Sequence, residues 1–157
     1  MTPVMSFWPK IYDKIVDQIK LVEYRRIFPK DCKMAYMYIS KPVKAICAII
    51  YFGKIHSLYD WQQEFIDYPE IQLRIKRSLE KENYRYGAEI SAIQKIKPIS
   101  LEELRNSVPN FVAPQSYLLL ENNYELKKYI ERNTLCTGQL IKNDFMSIFP
   151  EHICKRY

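Results

Sequence analysis

At 157 residues, with 48% hydrophobic and 27% charged residues, the chain is long enough for one domain with a real core plus an appendage. Three glycines and nine prolines exclude a linker-rich chain, and no apolar run approaches the ~18 residues of a membrane span. The N-terminus lacks the basic-then-apolar layout of a signal peptide, so a soluble, cytoplasmic protein with no membrane partner is expected.

The net charge is +6, and its placement matters more than its size. Residues 1–59 hold 10 Lys/Arg against 4 Asp/Glu, whereas residues 60–157 hold 14 of each. A one-sided basic field attracts polyanions, of which nucleic acid is the commonest in cells. Cys32, Cys47, Cys136 and Cys154 are too dispersed for a zinc knuckle, with only His56 and His152 to help. No metal and no other cofactor is expected. Glycines at 53, 87 and 138 exclude a phosphate-cradling loop, and there is no G-x-S-x-G elbow.

Along the chain, Val4-Met5-Ser6 reads as a short first strand, with Ser6 as the cap of a following helix and Pro9 in its first turn. Trp8, Ile11, Tyr12, Ile15, Val16 and Ile19 recur at steps of three and four and predict one apolar stripe. Leu21–Arg26 alternates as a strand, with Val22 and Tyr24 on one face and Glu23 and Arg25 on the other. Phe28-Pro29-Lys30-Asp31 is a turn. Met34–Ser40 is a strand, closed by Lys41-Pro42. Val43–Ile55 is a long strand, apolar on both faces, as in a barrel strand covered by a helix.

Residues 56–83 break the β pattern and read as a helical insertion, in two pieces about Tyr68-Pro69, with Arg74, Lys76, Arg77 and Lys81 on a basic face. Tyr84–Lys97 returns to strand, with a slip near Ala92-Ile93 that suggests a bulge. Ser100 and Glu103 form a capping box, stapled by Ile99 and Leu104, for a short helix ending before Pro109. Leu118–Leu120 is a strand, and Asn122 or Asn123 caps a helix through about Arg132. Gly138, Leu140, Ile141, Phe145, Met146, Ile148 and Phe149 suggest a further short helix, so residues 133–157 are expected to be a helical extension packed on or beside a domain of residues 1–132.

The chemistry concentrates in Lys20, Glu23 and Arg25, followed by Arg26. Arginine grips phosphate through two N–H donors, lysine acts as a point charge, and a carboxylate can hold the arginine or accept from a base amino group. Trp8, Tyr12, Tyr24 and Tyr38 are the aromatics available to stack an unpaired base. The competing interpretation of Lys20, Glu23 and Arg25 is a structural ion-pair cluster.

This layout resembles the ASCH domain, one of the PUA-like small β-barrels. The resemblance is carried by a helix, a Lys20-x-x-Glu23-x-Arg25 strand, Tyr38-Ile39-Ser40-Lys41-Pro42, the Ala45–Phe52 strand, Pro98–Leu104 and Pro114-Gln115-Ser116-Tyr117. It implies an α+β fold with flanking helices around the barrel, and a ligand cleft holding Lys20, Glu23, Arg25, Arg26, Tyr12, Ser40, Lys41, Gln115 and Ser116. The family pattern has a glycine where this chain has Gln18. Relatives that are acetylcytidine amidohydrolases use a lysine and a threonine of this motif; the threonine position here is Glu23, which supplies no hydroxyl nucleophile. Other relatives are described as ribonucleases. The leading expectation is an RNA-binding protein with an RNA or nucleotide ligand in a basic cleft. A metal-independent hydrolase of RNA or of a modified nucleoside is the alternative, with Lys20, Glu23 and Ser116 as catalytic candidates. A regulatory domain that binds a protein partner through the insertion or the C-terminal extension is the third reading.

Overall fold

The computed structural model describes residues 1–144 and 151–157. In chain order the elements are β1 (Pro3–Phe7), α1 (Pro9–Val16), β2 (Val22–Arg25), β3 (Met34–Ile39), β4 (Ala45–Ser57), α2 (Leu58–Glu64), α3 (Pro69–Glu80), β5 (Tyr86–Ser100), α4 (Leu101–Ser107), β6 (Tyr117–Leu119), α5 (Tyr124–Asn133) and β7 (Ile141–Lys142). The strands make one curled, mixed sheet in the order β2-β5-β4-β3-β1-β6, with β7 added on β5. Among the described residues only the β1–β3 pair is parallel; its crossover carries α1 and β2. This is an α+β half-barrel with flanking helices.

The long strands β4 and β5 serve two cores because each carries bulges. Ile46 and Ile49 pack with α4 and α5, while Ala48, Ile50 and Phe52 face the interior shared with α1. Side chains alternate at period two, so a one-residue register slip changes the face of every residue after it. The slip between Ile46 and Ala48 does this in β4. In β5 the slip falls at Ser91, beside the Ala92-Ile93 position suggested by the pattern. Ala88, Ile90 and Ile93 therefore face one core, and Ile96 and Ile99 the other.

Local chemistry sets the helix ends. The Ser100 hydroxyl accepts from the Glu103 N–H at 3.0 Å, and the Asn123 side chain accepts from the Leu126 N–H at 3.1 Å. Glu103 does not complete the reciprocal box; its carboxylate takes the Tyr129 hydroxyl of α5 and ties two helices together. Ser6 does not cap α1. It lies within β1, whose pairing with β3 runs to Phe7, and Trp8 takes the cap position with no side-chain bond. Trp8 and Ile19 of the expected apolar stripe are exposed, because the helix begins after the first and ends before the second.

Gln18, at the family's glycine position, has φ 60. A side chain in this left-handed region costs roughly 1 kcal/mol. The Gln18 amide offsets it by donating to Lys142 O at 2.9 Å and Asn143 Oδ1 at 3.0 Å. The turn that delivers Lys20 to β2 is thus kept without glycine.

The insertion forms α2 and α3, divided at Tyr68-Pro69 as the sequence predicts. Its Leu58, Trp61, Ile71, Ile75 and Leu79 bury against Leu21, Val22 and Tyr24. After α5 the chain is extended as far as Asp144: Cys136 bridges Ile96, and β7 pairs with β5 at Ala92 and Ile93, while residues 151–154 form a turn. The β5 edge beyond β2 offers free ladder groups, and residues 141–143 take them in place of a helix; Asn143 N donates to Ser91 O. Phe145, Met146, Ile148 and Phe149 lie outside the described residues. No described helix is long and apolar enough to cross a membrane.

At Gly87 the insertion packs closely on the sheet. A Cβ there would meet the Trp61 and Tyr24 rings at 3.0 Å. Gly87→Val should therefore cost about 1–3 kcal/mol by overpacking, visible as a lower urea midpoint.

Candidate functional site

Strand alternation in β2 sends its side chains in two directions. Val22 and Tyr24 turn outward, under the insertion, and Lys20 goes with them. Glu23 and Arg25 turn toward the open side of the half-barrel, where β1 and β6 run. The three motif residues therefore occupy two places, and no ion pair joins Lys20 to Glu23 among the described residues.

On the open side, Arg25 Nη2 donates to Ser6 O at 2.8 Å and Nη1 to Ser116 O at 3.3 Å. Its guanidinium lies 4.9 Å from the centre of the Phe7 ring, and its Nε is 3.5 Å from Glu23 Oε1. Ser6 N also donates to Ser116 O, at 2.9 Å. Arg25 thus bridges β2 to the opposite edge of the curled sheet, and the Glu23 carboxylate holds it there. Glu23 is 6% exposed, and its Oε2 has no hydrogen-bond partner among the described residues.

On the other side, Lys20 enters a cavity of about 250 Å³. Trp8 and Ile11 from α1, Tyr24 from β2, Arg77 and Ser78 from α3, and Tyr84 supply most of its wall. Residues 155–157 cover it, so helix, strand, insertion and C-terminal segment all contribute. Lys20 is only 7% exposed. Its Nζ lies 5.4 Å from the Tyr24 ring centre and 5.3 Å from that of Tyr157, with no carboxylate or hydrogen-bond partner among the described residues. Burial pushes the Tyr157 phenol up to about 12 and the Tyr24 phenol well above its usual value, so both rings are neutral near pH 7. They attract the ammonium through their π faces without cancelling its charge.

Tyr24 also fixes the cover. Its hydroxyl donates to His152 O at 2.8 Å and accepts from Cys154 N at 2.7 Å. Arg74 and Arg77, from the predicted basic face of α3, donate to Glu151 O and Cys154 O at 3.1 and 2.8 Å.

The remaining sequence-selected residues lie elsewhere. Tyr12 is buried in the interior core, which pushes its phenol up to about 12. Ser40 follows β3 and donates its N–H to Phe7 O, with Lys41 exposed beside it. Arg26, Gln115 and Ser116 are exposed, and none of them lines the Lys20 cavity. The sequence reading did not select Tyr84, Lys155, Arg156 or Tyr157. The one available hint was the Lys155-Arg156 pair beside an aromatic. Among the described residues, no three His, Cys, Asp or Glu side chains gather as a metal site.

Replacing Arg25 leaves Glu23 buried without its cation, a loss that ordinarily costs 3–5 kcal/mol. Arg25→Ala should lower the denaturant midpoint by about that free energy, and adding Glu23→Gln should recover part of it.

No family model matches the sequence. An ASCH domain-containing ribonuclease from Zymomonas mobilis is 28% identical over 128 residues, covering 72% of this chain and 80% of that protein. The crystal structure of ASCH from Zymomonas mobilis aligns with a TM-score of 0.63 at 24% identity, over 85% of this chain and 95% of the other. A serine-to-alanine variant of that protein aligns with a TM-score of 0.59 at 23% identity, over 85% and 96% of the two chains. With the curled sheet, its flanking helices and the Lys20-x-x-Glu23-x-Arg25 strand in place, the chain is similar to ASCH domain proteins in sequence and in fold.

Proposed function

We propose that this protein binds single-stranded RNA, with one nucleotide entering the Lys20 cavity. The observation that carries this reading is Lys20 itself. A lysine that is nine-tenths buried, with its ammonium faced by neutral rings and lacking a carboxylate among the described residues, calls for an anion. A phosphate supplies that charge, and the exposed Trp8 at the rim offers a stacking surface for the base. The basic excess of residues 1–59 favours the approach of a polyanion. Four free cysteines suit a reducing, cytoplasmic setting.

In this reading Glu23 and Arg25 position the site by holding the seam of the half-barrel. The Zymomonas mobilis relative, described as a ribonuclease, favours RNA cleavage as the second reading. Lys20 would then stabilise charge developing on the phosphate, and Tyr84 and Ser78 are hydroxyl-bearing residues of the cavity wall.

Fluorescence anisotropy with a labelled single-stranded RNA tests the binding reading. Affinity should fall steeply with salt, and Lys20→Ala should weaken it by roughly tenfold or more and reduce the salt slope by about one. Unchanged affinity in Lys20→Ala would remove the proposed site. Cleavage that persists in chelator and vanishes in Lys20→Ala would favour the ribonuclease reading.

A further inference from the structure

The half-barrel alone does not build the Lys20 cavity. Lys20 and Tyr24 come from the motif strand and its lead-in, but Arg77 comes from the insertion and Lys155, Arg156 and Tyr157 from the C-terminal strap, residues 151–157. The strap is firmly seated. Ile153 and Cys154 are buried in the insertion's core, and three side chains, Tyr24, Arg74 and Arg77, bond its backbone.

These additions change the charge of the site. Among the described side chains, Lys20, Arg77, Lys155 and Arg156 line it with one acidic side chain, Glu82, which pairs with Arg156 at 3.2 Å. Both members of that pair are partly exposed, so it is screened and weak. The Tyr157 ring gathers three ammonium groups, those of Lys14, Lys20 and Lys155, at 5.9, 5.3 and 5.5 Å. Two donors are left over among the described residues: Arg77 Nε is buried without a partner although Nη2 of the same guanidinium is fixed on Cys154 O, and Lys20 Nζ faces the cavity with no carboxylate or hydrogen-bond partner.

We infer that the insertion and the strap turn this site into an end-binding pocket, which takes the phosphorylated terminus of a single strand. This rests on the RNA reading above. An internal phosphodiester carries one negative charge, whereas a phosphomonoester carries about 1.5 to 2 and presents three acceptor oxygens. The surplus of cations and the two unpartnered donors fit the second. At about 250 Å³ the cavity is near the lower limit for a small-ligand site. Walls from four segments suit a unit that ends there. The strap is a wall of the site: Lys155 and Arg156 have the charge that the ligand needs.

The test uses the full chain and one short RNA sequence in four forms: 5′-phosphate, 3′-phosphate, hydroxyl at both ends, and circular. One phosphorylated form should bind about tenfold more tightly than the hydroxyl-ended form. Nucleoside monophosphate should compete with it better than nucleoside. Arg77→Gln and Arg156→Gln should each shrink the preference, with melting curves recorded for both. Arg156 is exposed, so its variant keeps the test valid if Arg77→Gln disturbs the strap. Equal affinity for all four forms overturns the end-binding inference. If that equal binding still depends on Lys20, the RNA reading stands; if no form binds, both fall.

Discussion

One guanidinium holds the open side of this fold together. The sheet curls through β4 and β5 but does not close by backbone pairing, so β2 and β6 remain as edges. Arg25 spans them by donating from β2 to carbonyls of Ser6 and Ser116. An arginine suits this task because its rigid fork offers several donors in one plane, which a lysine does not. The buried Glu23 carboxylate orients the fork, and the Phe7 ring supports its face. With β2 fixed there, the strand's other face is free to carry Val22 and Tyr24 to the insertion.

Tyr24 then extends the order outward. Its ring packs against Trp61 and Tyr84, and its hydroxyl holds two backbone groups of the strap. A four-residue strand thus serves the barrel seam on one side and the Lys20 cavity on the other. The consequence for function is a division of labour within one motif. Arg25 is committed to carbonyls, and Glu23 to Arg25. Lys20 is the member whose charge has no protein partner among the described residues, which makes it the member suited to an external anion.

The insertion belongs to the same logic. Its apolar face covers β2, and Gly87 lets Trp61 approach the sheet closely. Its basic face was legible as charge at helical spacing, but that spacing left its target open. The structure turns Arg74 and Arg77 toward the strap and leaves Lys76 and Lys81 exposed. Local rules located the helix caps at Ser100 and Asn123, the break at Tyr68-Pro69 and the bulge near Ala92, because each depends on residues only a few positions apart. Ser6 escaped such rules: pairing of β1 with β3, about thirty residues away, kept it in a strand.

By itself, the sequence determined most of the elements before residue 133, the two-sided burial of β4 and the placement of Glu23 and Arg25 on one face of β2. Period and capping are short-range properties, and they survive folding. The direction taken by Lys20 was decided only by tertiary structure, since it precedes the strand and alternation does not reach it. The same is true of Tyr12, an aromatic on a helix face that was equally suited to stacking a base and to filling a core; packing against the sheet put it in the core. Arg77, Lys155, Arg156 and Tyr157 are separated from Lys20 by 57 to 137 positions. No spacing rule connects residues at such distances, and only the docking of insertion and strap on Tyr24 brings them to one cavity.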